Sequence, residues 1–231
     1  MSDQVAINYL HAFLERHPTR TFKKGEIIVF QGEAPRSAYA IKHGTVKAYN
    51  LSVEGDEKPV DFYSEDSVFP APWIYGKMPN SMYYYEAFTP TVEVYIMERD
   101  EFVQFIKKRP ELLYQELERA LADQVGGSMR LNALQHSRAT DKLVYTLHYL
   151  ALSHGKPSAG DKIEITLDLK HQDFANLTGL TRETAATELN KLKKQGIIEY
   201  GKGIPYCIDL KRLTRALNDQ FISDLDVTLA P

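Results

Sequence analysis

Cysteine is almost missing from this sequence: Cys207 is the single one among 231 residues. That excludes an intrachain disulfide framework, a cysteine-ligated iron–sulfur cluster and a multi-cysteine zinc site. No apolar run approaches the ~20 residues that a membrane-spanning helix needs. The opening stretch MSDQVAINYLHAFLERHPTR has neither the basic leader nor the apolar centre of a secretory signal, so a cytoplasmic location without a membrane partner is expected. A Gly-rich phosphate loop, a nucleophile elbow and a zinc-protease helix motif are all missing, which argues against an enzyme. The seven histidines are scattered without a paired ligand motif, so no metal or cofactor is expected. Basic residues are scarce in one revealing place: between Lys58 and Arg99 there is only Lys77.

What is present suggests a medium domain followed by a small one, given ~100–200 residues per domain. From about Thr21 to Met97 short β-rich runs alternate with turn residues at roughly ten-residue spacing, the texture of a sandwich or barrel. Gly25, Gly32 and Gly44 fall where strands must turn. Helical patterning then begins, with a short helix ending near Pro110. Residues 111–136 read as one long helix in which Leu113, Leu117, Ala120, Gln124, Gly127, Leu131 and Leu134 follow alternating 4/3 spacing, the seam of a two-helix coiled coil. Burial of that helix against its own domain is the alternative. Gly126-Gly127 costs such a helix roughly 2 kcal/mol against two alanines, so a kink or a close helix crossing is expected there. Another helix follows in DKLVYTLHYLALSHG, closed by Gly155, and KPSAGD reads as a plain loop. The net charge is -3, yet residues 162–215 hold ten Lys/Arg against seven Asp/Glu, as a basic module on an acidic partner domain would.

The stretch HQDFANLTGLTRETAATELNKLKKQGII, 171–198, carries the most chemistry. In a helix-turn-helix the first helix needs a small residue facing the second and the tight turn needs glycine; Ala175 and Gly179 stand in that relation. Phe174, Leu177, Leu189 and Leu192 supply apolar contacts, and Thr181 is a suitable N-cap for the second helix. Its first turn, Arg182-Glu183-Thr184, is then exposed at the end that meets base edges in a major groove. Arg can donate twice to guanine and Glu can accept from cytosine N4, each contact giving ~1–3 kcal/mol of discrimination. Lys191, Lys193 and Lys194 suit phosphates. GIIEYGKGIPYCIDL reads as a hairpin with Gly201-Lys202-Gly203 at its tip.

HQDFANLTGLTRET resembles the recognition segment of the Crp/Fnr family of bacterial transcription regulators, and KKGEIIVFQGE and HGTVKAY look like that family's opening strands. The resemblance covers nearly the whole chain. It implies an α+β fold: an N-terminal cyclic-nucleotide-binding-like β-roll (jelly roll) over 1–110, a long dimerisation helix over 111–137 and a C-terminal winged helix-turn-helix over 138–231. The implied partners are double-stranded DNA, bound as a near-palindrome, and a second copy of the chain, with RNA polymerase a further candidate. Arg182 and Glu183 match the family's base-reading pair. The third such position, often Arg, is Thr187. Lys170, His171, Gln172, Thr181, Thr184, Lys191 and Lys202 are the expected DNA-backbone contacts. A ligand-binding or protein-docking module without DNA function is the alternative.

Relatives that bind cyclic AMP hold its ribose with a Gly-Glu pair and its phosphate with Arg-Ser. The matching region, EDSVFPAPWIYGKMPNSMYYYEAF, has neither, and Arg36-Ser37-Ala38 comes too early in the chain to substitute. Cyclic AMP is therefore not expected as the effector. The region is aromatic instead. Phe62, Phe69, Trp73, Tyr83 and Tyr85 are candidate lining of a pocket for an unknown effector, with core packing as the alternative.

Overall fold

The computed structural model describes residues 2–160 and 162–217. The chain divides into two compact units, 1–119 and 120–231, and one long helix runs through the boundary.

The first unit begins with α1 (Ser2–Leu14), β1 (Thr19–Lys23), β2 (Ile27–Val29), β3 (Ala38–His43), β4 (Val46–Leu51), β5 (Glu57–Tyr63) and β6 (Val68–Phe69). It continues through α2 (Ala71–Ile74), β7 (Tyr84–Ala87), β8 (Thr91–Met97), α3 (Arg99–Lys107) and the start of α4 (Pro110–Gln135). Two antiparallel four-stranded sheets form, in the orders β1-β8-β3-β6 and β2-β7-β4-β5, which is the expected roll. The strands β3 and β8 are apolar on both faces, and each face has its own cluster. Ile41, Val92 and Val94 point into the space between the sheets with Val46, Ala48, Phe69 and Tyr85. Ala38, Ala40 and Met97 point the other way, against Leu10, Phe13 and Leu14 of α1, Phe102 and Ile106 of α3, and Leu112 of α4. Gly44 turns β3 into β4 with φ +92°, and a β-carbon there would meet the Thr91 carbonyl oxygen at 2.5 Å; glycine is required on both counts.

The second unit holds the rest of α4, then α5 (Ala139–His154), β9 (Gly155–Ser158), β10 (Lys162–Ile165), α6 (His171–Thr178) and α7 (Arg182–Lys194). Strands β11 (Ile198–Gly201) and β12 (Ile204–Asp209) and helix α8 (Leu210–Leu217) complete it. The strands pair antiparallel in the order β11-β12-β10-β9. Leu143, Leu147 and Leu150 of α5 are buried, as are Phe174, Leu189, Leu192 and Leu213 on the other helices. One sequence expectation fails in part here: of the run 156–161 read as a loop, 156–158 belongs to strand β9, which starts at Gly155 where α5 ends as expected. Gly155 allows it, because a β-carbon would lie 2.1 Å from the Ala151 carbonyl oxygen and 2.3 Å from Ile163, and without one the segment can pair with β10.

Helix α4 is continuous over its 26 residues. Its double glycine marks a close crossing: a β-carbon on Gly126 would sit 3.0 Å from the Tyr149 ring of α5, whereas Gly127 faces open space. Every residue of the expected seam, Leu113, Leu117, Ala120, Gln124, Gly127, Leu131 and Leu134, is exposed on the chain. Tyr114, Leu121 and Val125 extend the exposed apolar stripe.

Candidate nucleic-acid interface

The helix pair α6–α7 is built by local chemistry. The backbone N–H of Lys170 donates to the Asp173 carboxylate at 2.7 Å, closing the start of α6. Its end is set by Gly179, left-handed at φ 66°, ψ 27°, whose N–H returns to the Ala175 carbonyl. Open space surrounds the glycine, so the turn's conformation and not crowding calls for it. Thr181 then caps α7: its Oγ1 accepts from the Thr184 N–H at 3.2 Å, and the two hydroxyls lie 2.9 Å apart. Ala175, Leu177, Ala185, Leu189 and Leu192 are buried between the helices and the body of the unit.

Arg182 is exposed in the first turn of α7, beside a cleft of about 910 Å³. Lys170, His171 and Gln172 line the cleft from α6, and Lys202 lines it from the tip of the β11–β12 hairpin, so four of the expected backbone contacts converge beside one expected base reader. Glu164 and Asp168 also line it. His171 is held below its ordinary pKa, first by desolvation and then by the Arg182 charge. Glu183 and Thr187 stand exposed on the outer face of α7. Lys191 is paired with the Glu188 carboxylate, which also accepts from Thr140 Oγ1 at 2.6 Å; these bonds, the Lys191 one foremost, keep Glu188 below the usual carboxylate range. Lys193 turns to the hairpin, donating to the Tyr200 carbonyl at 2.6 Å.

Sequence reasoning passed over Tyr200 and Asn190. Their side chains bond at 2.9 Å across ten residues, from α7 to strand β11.

In the roll, three of the five candidate pocket residues adjoin and two lie elsewhere. Phe69 stacks on Tyr85 at 5.0 Å, joining one sheet to the other, and Tyr83 meets Tyr85 at 6.4 Å. Trp73 packs on the helix-side cluster with Arg99 over its ring, and Phe62 meets Phe88 edge-on at 5.0 Å. Among the described residues no three His, Cys, Asp or Glu side chains gather as a metal site, and no helix is long and apolar enough to cross a membrane.

A two-sheet roll, a long helix and a winged helix-turn-helix, in that order, define the architecture of the chain. Comparison with known proteins agrees for each part. Residues 19–109 match the cyclic nucleotide-binding domain, and 141–216 match the Crp-like helix-turn-helix domain. The global nitrogen regulator of Nostoc sp. is 31% identical over 183 residues, 79% of this chain and 81% of that protein. The electron transport regulator A of Shewanella oneidensis is 26% identical, covering 84% of this chain and 75% of its own length. Among solved structures, FixK2 from Bradyrhizobium japonicum superposes with a TM-score of 0.69 at 17% identity, over 86% of this chain and 96% of that one. The chain belongs to the Crp/Fnr family of transcription regulators.

Proposed function

We propose that this chain is a cytoplasmic, homodimeric regulator, not an enzyme, that binds a near-palindromic DNA site through α7 and does so without cyclic AMP. The observation carrying this reading is the position of Arg182: exposed in the first turn of a Thr181-capped helix, with Lys170, His171 and Lys202 around the adjoining cleft. A helix N-terminus with Arg and Glu can read base edges while flanking cations and N–H groups hold phosphates. In this reading Arg182, Glu183 and Thr187 face bases. Lys170, His171, Gln172, Thr181, Thr184, Lys191 and Lys202 face the backbone. The exposed stripe of α4 joins two copies, and a DNA-bound dimer would act on RNA polymerase.

Selection of bound sequences from a random duplex pool tests the reading. A two-fold dimer should recover half-sites with centres about one turn, ~10 bp, apart. Arg182→Ala should lose ~1–3 kcal/mol per half-site on the selected duplex and much less on random DNA. Lys202→Ala should weaken both alike and lower the magnitude of the salt slope by about one per contact. No common motif, or equal losses on both kinds of DNA for Arg182→Ala, would overturn base reading by α7 and leave a docking module without DNA function.

A further inference from the structure

Asn190 lies seven residues after Glu183 and three after Thr187, spacings that keep all three on one face of α7, and all three are exposed. Its amide is held. The Tyr200 hydroxyl donates to Asn190 Oδ1 at 2.9 Å, so the carbonyl end of the amide faces the hairpin and the NH₂ end faces away from it. Tyr200 is itself immobilised from several sides. Its ring stacks on Tyr206 at 4.6 Å and 20°, and Tyr206 in turn packs on the buried Phe174 at 4.9 Å. Lys193 Nζ sits 4.6 Å from the centre of the Tyr200 ring and bonds the Tyr200 carbonyl, while His171 meets the ring edge-on at 5.6 Å. A chain of rigid rings thus runs from the core of the unit to one polar side chain on the face of the recognition helix.

We propose that Asn190 is a fourth base-reading residue and that Tyr200 is the positioning residue that presents it as a hydrogen-bond donor. The inference rests on the DNA-reading role proposed for α7. From Thr187 to Asn190 the helix rises about 4.5 Å, a little over one ~3.4 Å base step, so Asn190 addresses the base pair beyond the one Thr187 faces. An unrestrained Asn pairs with adenine by accepting from N6 and donating to N7. With its carbonyl oxygen engaged by Tyr200 and its NH₂ outward, Asn190 instead complements an edge made of acceptors. Guanine, with O6 and N7, is the base that offers two.

The test compares the full-length wild type, Asn190→Ala and Tyr200→Phe in selection from a random duplex pool, with affinities on the selected and a random duplex. Asn190→Ala should erase one position of the wild-type motif, a guanine preference of about 5- to 100-fold, and leave affinity for random DNA within about twofold. Tyr200→Phe keeps the ring stack and removes only the hydroxyl, so that same position should shift from guanine towards adenine. A structural role for Tyr200 would instead weaken all positions together. Unchanged motifs in both variants, or an Asn190→Ala loss equal on selected and random DNA, as a phosphate contact gives, would overturn the inference while leaving the reading by Arg182 standing. A wild-type selection without any motif would overturn both.

Discussion

Gly126 of α4 lies against the ring of Tyr149 on α5: a β-carbon at 126 would stand 3.0 Å from Tyr149 Cε2 and 3.3 Å from Ser153 Oγ. Tyr149 is buried and its hydroxyl is 3.5 Å from His154 Nε2, so the ring has little room to retreat. The neighbouring Gly127 meets nothing within 4 Å. The two glycines should therefore respond oppositely to the same change. Gly127→Ala should raise stability by about 0.5–1 kcal/mol through helix propensity, whereas Gly126→Ala should give no gain and Gly126→Leu a clear loss. Denaturant midpoints of the three variants decide this; equal gains for both alanines would show that the helices are not in close contact at 126.

The seam leucines Leu113, Leu117, Leu131 and Leu134 are exposed along one face of α4. Under the proposed dimer, a charge among them would be buried without a partner. Leu117→Glu should therefore shift the mass measured by light scattering at micromolar concentration from twice the 26.4 kDa chain mass to the chain mass itself. A wild type that is already monomeric would sink the dimer.

Phe69 and Tyr85 are stacked between the two sheets and buried, and Lys77 is the only cation of the 59–98 segment. A cyclic nucleotide phosphate has no guanidinium there to replace its water. Isothermal titration with cyclic AMP or cyclic GMP should show no binding at micromolar concentrations, and neither should alter DNA affinity. Phe69→Ala should lower stability by about 3–5 kcal/mol, as expected of a core ring and not of pocket lining. Micromolar affinity for either nucleotide would overturn the first statement, and a near-neutral Phe69→Ala the second.

His148 of α5 is 1% exposed, its Nδ1 has no hydrogen-bond partner among the described residues, and desolvation pushes its pKa down to about 4. An unfolded chain takes up this proton near 6.5, so between those values the unfolded state binds more protons than the folded one. The contribution is complete above pH 6.5 and is lost as pH falls towards 4, by up to about 3 kcal/mol for this single group. Urea titrations between pH 4.5 and 7.5 should show His148→Leu with a shallower acid decline than the wild type. Parallel curves would mean that His148 takes up its proton equally in the folded and unfolded states.

The helix-turn-helix was legible residue by residue. Gly179, Thr181 and Ala175 act through bonds to atoms within about five positions, so their spacing alone specifies the turn and the cap. The roll was legible as a texture of short strands and turns. The fate of its aromatics was not: Tyr83, Trp73 and Phe62 are indistinguishable as apolar rings in a sequence, and they end in different surroundings. Residues 155–158 show the limit most plainly. A Gly/Pro/Ser run carries no strand signal of its own, and its β structure comes from the partner strand at 162–165.

By itself, then, the sequence determined the order of parts and the local devices, because caps, turns and the exposed stripe of α4 depend on interactions a few residues apart. Only the tertiary structure decided which distant side chains meet. Tyr200 of β11 reaches Asn190 of α7 with its ring stacked on Tyr206, and Gly126 accepts Tyr149 because two helices cross at that one point. Such meetings depend on pairing and packing between segments whose separation along the chain carries no periodic signal.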